Sequence, residues 1–181
     1  YRQITCNFPI RNLSDMKGAK IRVVPSDLYQ QLFTAFGAAA TPMAFSEVPT
    51  ALITNVIDGQ ENPYSVIVSS ALYEVQKYCM ETNHLPTNHG LWMNRNTYES
   101  LTPEQQEAVL KAAYDASAYM DKYILDKVEE YKKICEDNGM DIIDAENGLD
   151  IDGFKAAAEN VYDYFAEDWG DMPDLIRAVQ P

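Results

Sequence analysis

Arg22, in the stretch GAKIRVVPSD, and Asn62, in DGQENP at residues 58–63, are the side chains whose types and places invite a chemical reading. A guanidinium is a rigid fork of donors that matches a carboxylate in bidentate fashion, so one such arginine could select an organic acid even from an acidic surface. An amide both donates and accepts; on a strand Asn62 shares a face with Gln60, while Glu61 points the other way. Phe45, in TPMAF, could serve as an aromatic platform. Each has a plainer reading from local sequence. Arg22 also reads as a strand arginine paired to a nearby acid, Asn62 as a polar turn before Pro63, and Phe45 as core.

Other constellations are missing from the sequence. His84 and His89 stand in TNHLPTNHG, but a spacing of five does not share one helical face, and no third ligand is supplied nearby. No serine or cysteine lies in a nucleophile elbow, and no glycine-rich loop is suited to phosphate. Carboxylates such as those of DKVEEYKKICED read as a solvated helix face rather than an acid and base pair. Binding without turnover is the expectation, and no cofactor is called for.

These residues need elements to hold them. Residues 1–6 read as a strand, and AKIRVV as a second, with Ile21 and Val23 opposite Lys20, Arg22 and Val24. Pro25 ends it. Ser26 is placed to cap a helix carrying Leu28, Leu32, Phe33 and Phe36, which Gly37 stops. TPMAF reads as a short strand with Phe45 at its end, Ser46 as the cap of a helix with Pro49 in its first turn, and Asp58-Gly59 as the turn into QENP. Strand alternating with helix predicts a parallel α/β sheet. Arg22 and Asn62 then fall at carboxyl ends of strands, where ligands of open α/β sheets collect.

Thr102-x-x-Gln105 is a capping box with Pro103 at the first helical position. Leu110, Ala113, Ser117, Met120, Ile124, Val128, Tyr131 and Cys135 follow at spacings of three or four. One helix over about 103–138 is predicted, about 54 Å long, against a diameter near 40 Å for a compact chain of this size. It outruns its own domain. A coiled coil would explain that, but the stripe is too rich in Ala, Tyr and Ser for a heptad seam. A second lobe is the better explanation. A short strand near MDII and a helix near 151–168 complete the chain.

With 181 residues and 46% hydrophobic content the chain can bury a sizeable core. Its 14 basic against 28 acidic residues, a formal charge of −14, would repel a phosphate backbone, which argues against nucleic acid. No apolar run approaches the roughly 20 residues needed to cross a bilayer, so no direct membrane insertion is expected. Cys6, Cys79 and Cys135 are odd in number and widely spaced, and read as buried hydrophobes rather than a disulfide framework.

DMKGAKIRV, TPMAFSEV, TALITNVIDGQENP and YEVQKY followed by TNH, in that order, resemble the DctP-type solute-binding proteins of tripartite ATP-independent periplasmic (TRAP) transporters. The resemblance weakens after about residue 145. It implies an α/β chain that is the second lobe of a two-lobed periplasmic-binding-protein-like fold, with a parallel-rich mixed sheet, a long lobe-spanning helix and the N-terminal lobe absent. Residues 1–87 would form the first part of the ligand-binding lobe, 88–127 a connector strand and the spanning helix, and 128–181 the return to the same lobe with C-terminal helices. It further implies that Arg22 bridges the carboxylate of a small organic acid, that Asn62 contacts the same carboxylate, that Arg2 is an additional arginine on the preceding strand, and that Phe45 packs on the ligand. Ser26 and His89 would line the cleft. The implied partners are the membrane permease subunits, and the implied location is periplasmic. A ligand-sensing extracellular domain of a receptor is the alternative.

Overall fold

A computed structural model describes residues 1–179; the last two residues of the expected 128–181 segment lie outside them. Six strands form one sheet: β1 (Gln3–Cys6), β2 (Lys20–Val23), β3 (Ala39–Pro42), β4 (Gly59–Asn62), β5 (Tyr78–Met80) and β6 (Asp141–Ile143), in the order β3-β2-β4-β1-β5-β6. Neighbours pair in parallel except at β1, which runs antiparallel to both β4 and β5. The parallel-rich mixed sheet expected from the motifs is therefore present, with its one reversed strand in the interior.

The chain crosses between strands through α1 (Leu13–Met16), α2 (Asp27–Ala35), α3 (Val48–Ile53), α4 (Tyr64–Ser69), α5 (Arg95–Glu99) and α6 (Pro103–Asp137). After β6 come α7 (Ile151–Tyr164), α8 (Ala166–Trp169) and α9 (Met172–Ala178), so the single helix predicted near 151–168 is divided after Tyr164. TPMAF also departs from expectation. Its strand stops at Pro42, and Phe45 begins a 3-10 turn, Phe45–Glu47, in which Glu47 Oε2 accepts from the Ala44 amide at 3.2 Å. β3 is an edge strand, which is where a proline without an N–H can be tolerated. Ser46 lies inside that turn rather than capping α3, which opens at Val48 with Pro49 in its first turn.

Strand alternation sends side chains to two cores. Ile4, Cys6, Ile21, Val23, Met80 and Ile143 pack on one face against Phe33 of α2 and Phe154 and Val161 of α7. Cys79 packs on the other against Val48 and Leu52 of α3, Tyr64 and Ile67 of α4 and Cys135 of α6. Each fully buried large apolar side chain contributes about 1.5–3 kcal/mol relative to exposure, so the two layers carry the fold. The three cysteines are buried and free; loss of hydration pushes the Cys6 and Cys135 thiols up to about 11.

Gly59 is required at the start of β4. A Cβ there would meet the Thr5 carbonyl oxygen at 2.2 Å, because β1 lies directly against it in the Cys6↔Gly59 register. This gives the glycine of DGQENP its reason.

α6 begins with the predicted capping box, in which Thr102 Oγ1 accepts from the Gln105 amide and Gln105 Oε1 accepts from the Thr102 amide. Of its 35 residues Cys135 alone is buried; Tyr114 (75% exposed) and Leu125 (72%) face outward. Its last turns are fastened to the sheet by Lys132, whose ammonium lies 2.9 Å from Glu81 at the end of β5. Among the described residues no helix is long and apolar enough to cross a membrane.

Candidate functional site

Because every strand but β1 runs the same way, the carboxyl ends of β2, β4 and β5 and the beginning of β1 share one edge of the sheet. Arg22, Asn62 and Arg2 lie toward that edge, and Arg2 and Asn62 touch there. Arg22 stands opposite Ile21 in register with Gln60 of β4, and is 3% exposed. Its Nε and Nη2 donate to the Met43 carbonyl at 3.0 and 2.8 Å, and its guanidinium carbon lies 5.6 Å from the centroid of the Phe45 ring. Among the described residues no carboxylate lies within ion-pair distance of it. Desolvation lowers its pKa, the field of Glu61 acting in the opposite sense. A buried cation held by a carbonyl and an aromatic face lacks the counter-charge that normally accompanies burial. This excludes the plainer reading of Arg22 as a strand arginine paired to a nearby acid.

Arg2 is placed differently from a free ligand-binding arginine. Its Nε pairs with Glu61 Oε2, and its Nη2 donates to Glu61 Oε1 at 2.9 Å, to the Glu61 carbonyl at 3.0 Å and to Asn62 Oδ1 at 3.0 Å. The guanidinium also lies 5.3 Å from the centroid of Tyr29 on α2. Glu61, fully buried, is thus the counter-charge of Arg2, and in turn lies 3.4 Å from His84 Nε2. His84 Nδ1 is 2.7 Å from Thr82 Oγ1, and its ring packs edge-on to Phe33 at 5.3 Å. Burial lowers the His84 pKa, although Glu61 favours the charged form. Sequence reasoning missed Glu61 and His84 as parts of this group. Their meeting depends on β1 lying beside β4, and the opposite-face reading of Glu61 was the one available signal.

The remaining expected residues are scattered. Ser26 caps α2 by backbone geometry, is half-buried, and makes no side-chain capping bond. Phe45, partly exposed, sits over Arg22 from a turn rather than from a strand end. His89 is exposed in the irregular segment between β5 and α5, and among the described residues it makes no hydrogen bond or ring contact; nothing brings it to Arg22. A cavity of about 550 Å³, lined in part by Phe36, His84, Lys132, Asp144, Phe154 and Lys155, opens beside β5 and β6 rather than at Arg22. At the Arg22 rim itself the guanidinium and the Asn62 amide are buried, 3% and 5% exposed, beside the more exposed Phe45 ring. What the rim offers a small molecule is a buried guanidinium, the amide of Asn62 and an aromatic edge, a set suited to an anion and without an acid and base pair or a nucleophile placed to act on one.

Comparison with known proteins is consistent with that chemistry. The family model for bacterial extracellular solute-binding proteins, family 7 (DctP), matches residues 1–168. A solute-binding protein of Roseobacter denitrificans is 36% identical over 159 residues, covering 88% of this chain and 48% of the relative. The 2,3-diketo-L-gulonate-binding periplasmic protein YiaO of Escherichia coli is 34% identical, covering 94% and 52%. Among solved structures, a TRAP periplasmic solute-binding protein from Roseobacter denitrificans with bound L-galactonate superposes with a TM-score of 0.81 at 37% identity, over 89% of this chain and 52% of that one. Another, from Sulfitobacter with bound β-D-galacturonate, has a TM-score of 0.88 at 33% identity, over 97% and 57%. The chain spans about half the length of the relatives it matches. On its sequence, its mixed sheet and its match over 168 residues, this chain belongs to family 7 of the bacterial extracellular solute-binding proteins.

Proposed function

We propose that this chain is one lobe of a two-lobed binding protein that captures a small organic acid by its carboxylate and delivers it to the permease subunits of a TRAP transporter in the periplasm. The observation that carries the proposal is Arg22, a buried guanidinium with no acidic partner among the described residues, at a rim that also holds Asn62 and Phe45. A ligand carboxylate would supply the absent counter-charge through paired charge-assisted hydrogen bonds. Asn62 would contact the same carboxylate, Phe45 would pack against the ligand, and Arg2, held by Glu61, would present its remaining donor at the margin. Ser26, its hydroxyl unengaged in capping, would line the cleft; His89 would reach it only from the connector.

Several relatives carry sugar acids, and a hydroxy acid is the ligand class most in keeping with them. Residues 1–87 and 128–181 would make the lobe, and 88–127 would lead to and along the second one, which explains why the first turns of α6 bury nothing here. Closure of two lobes on the ligand would supply the contacts that one lobe lacks.

Calorimetry on the two-lobed protein with a panel of sugar acids tests this. Arg22→Ala should weaken binding about 10- to 150-fold, the equivalent of about 1.5–3 kcal/mol for a hydrogen bond to a charged group. Unchanged affinity would remove Arg22 from the site.

A further inference from the structure

Behind Asn62 a line of buried polar side chains runs under α3 and α4 to the far edge of the sheet. Asn62 Nδ2 donates to Gln60 Oε1; Gln60 Nε2 donates to Thr5 Oγ1 at 2.9 Å; Thr5 Oγ1 donates to Gln76 Oε1 at 2.9 Å; Gln76 Nε2 faces the carbonyls of Val75 and Asp58 at 3.3 and 3.4 Å. Thr5 and Gln60 are fully buried and Gln76 is 1% exposed. An amide can be turned end for end, and a hydroxyl can rotate, so such a line could in principle run either way. Here it cannot. At the head stands Arg2 Nη2, which can only donate, so the Asn62 atom facing it at 3.0 Å must be oxygen. At the tail stand two backbone carbonyls, which can only accept, so the Gln76 atom facing them must be nitrogen. Reversal would set donor against donor at one end and acceptor against acceptor at the other, inside a low-dielectric interior where unmet polar groups cost most.

We infer that Gln60, Thr5 and Gln76 are positioning residues that hold Asn62 with its oxygen turned to Arg2, so that the group it presents to a ligand is an N–H. The inference rests on the proposed carboxylate site and assigns its selectivity. Arg22 has no acceptor to offer, and the Met43 carbonyl already receives two of its donors. With Asn62 fixed as a donor, the site accepts a carboxylate and has nothing to receive the NH2 of the corresponding carboxamide. If Asn62 could turn over, it would offer an oxygen to that NH2.

The test compares a sugar acid with its carboxamide by calorimetry on the two-lobed protein. Thr5→Val keeps the shape of the side chain and cuts the line, whereas Thr5→Ser keeps the hydroxyl. Thr5→Val should reduce the preference for acid over amide about fivefold, the worth of one ordinary hydrogen bond, and Thr5→Ser should restore it. Gln76→Met cuts the line nearer its tail and should act in the same direction. An unchanged acid-to-amide ratio in both cut variants, with Arg22→Ala still weakening binding about 10- to 150-fold, overturns the inference and leaves the carboxylate site standing. If neither variant folds, or if no acid binds, the ligand-free wild-type protein decides it by NMR. Slowly exchanging side-chain amide protons on Asn62 and Gln60 support a fixed orientation, and averaged, rapidly exchanging signals refute it.

Discussion

Replacing Glu61 by glutamine should destabilise the protein far more than the loss of one surface charge would. The carboxylate is fully buried and neutralises Arg2, whose residue is 6% exposed, through contacts from both Nε and Nη2. Glu61→Gln leaves Arg2 as a buried cation without its partner and turns an amide N–H toward a guanidinium that can only donate. Breaking a buried pair by removing one member costs about 3–5 kcal/mol. For about 150–250 residues each kcal/mol moves Tm by about 2–4 °C, so the lower figure corresponds to a fall of about 6–12 °C. Scanning calorimetry on wild type, Glu61→Gln, Arg2→Met and the double variant measures both the loss and its origin. Arg2→Met removes the stranded charge, so the double variant should be more stable than Glu61→Gln alone. A fall below about 2 °C for Glu61→Gln, or losses that simply add in the double variant, would refute the account of Arg2 and Glu61 as a coupled buried pair.

Gly59→Ala should open the contact between β1 and β4, since its Cβ would lie 2.2 Å from the Thr5 carbonyl; a loss of about 1–3 kcal/mol or more in chemical denaturation is expected, and a neutral result would show that the strands can separate freely. Burial lowers the His84 pKa below its ordinary value of 6.5, so the unfolded chain binds the proton more readily. The stabilisation from a neutral His84 is therefore complete above pH 6.5 and fades as pH falls from there through the folded-state value. Tm measured between pH 7.5 and 5 should drop, and His84→Gln should flatten that slope; an equal slope in the variant would assign the pH dependence elsewhere.

The positions of Arg22 and Asn62 near strand ends could be read from sequence because such ends are marked locally: Val23-Val24-Pro25 and Asn62-Pro63 stop their strands, and alternation fixes the face. α6 was equally legible, from its capping box and its spacing over 35 residues. The placement of Phe45 at a strand end was misread, since Pro42 ends the edge strand three residues earlier and a 3-10 turn brings the ring over Arg22. The Arg2, Glu61 and His84 group was not legible. It joins residues 59 and 23 positions apart, and its existence follows from the reversed strand β1, which no local spacing reveals. The line through Thr5 and Gln76 is hidden for the same reason, 71 positions separating its central pair.

That reversed strand has a mechanical meaning. On one side of it lie β3, β2 and β4, on the other β5 and β6, and among the described residues no other ladder joins these groups. Four residues, Gln3–Cys6, act as the keystone of the whole layer. The partners of this segment on β4 lie more than fifty positions down the chain, so seating it depends on long-range contacts that cost loop-closure entropy.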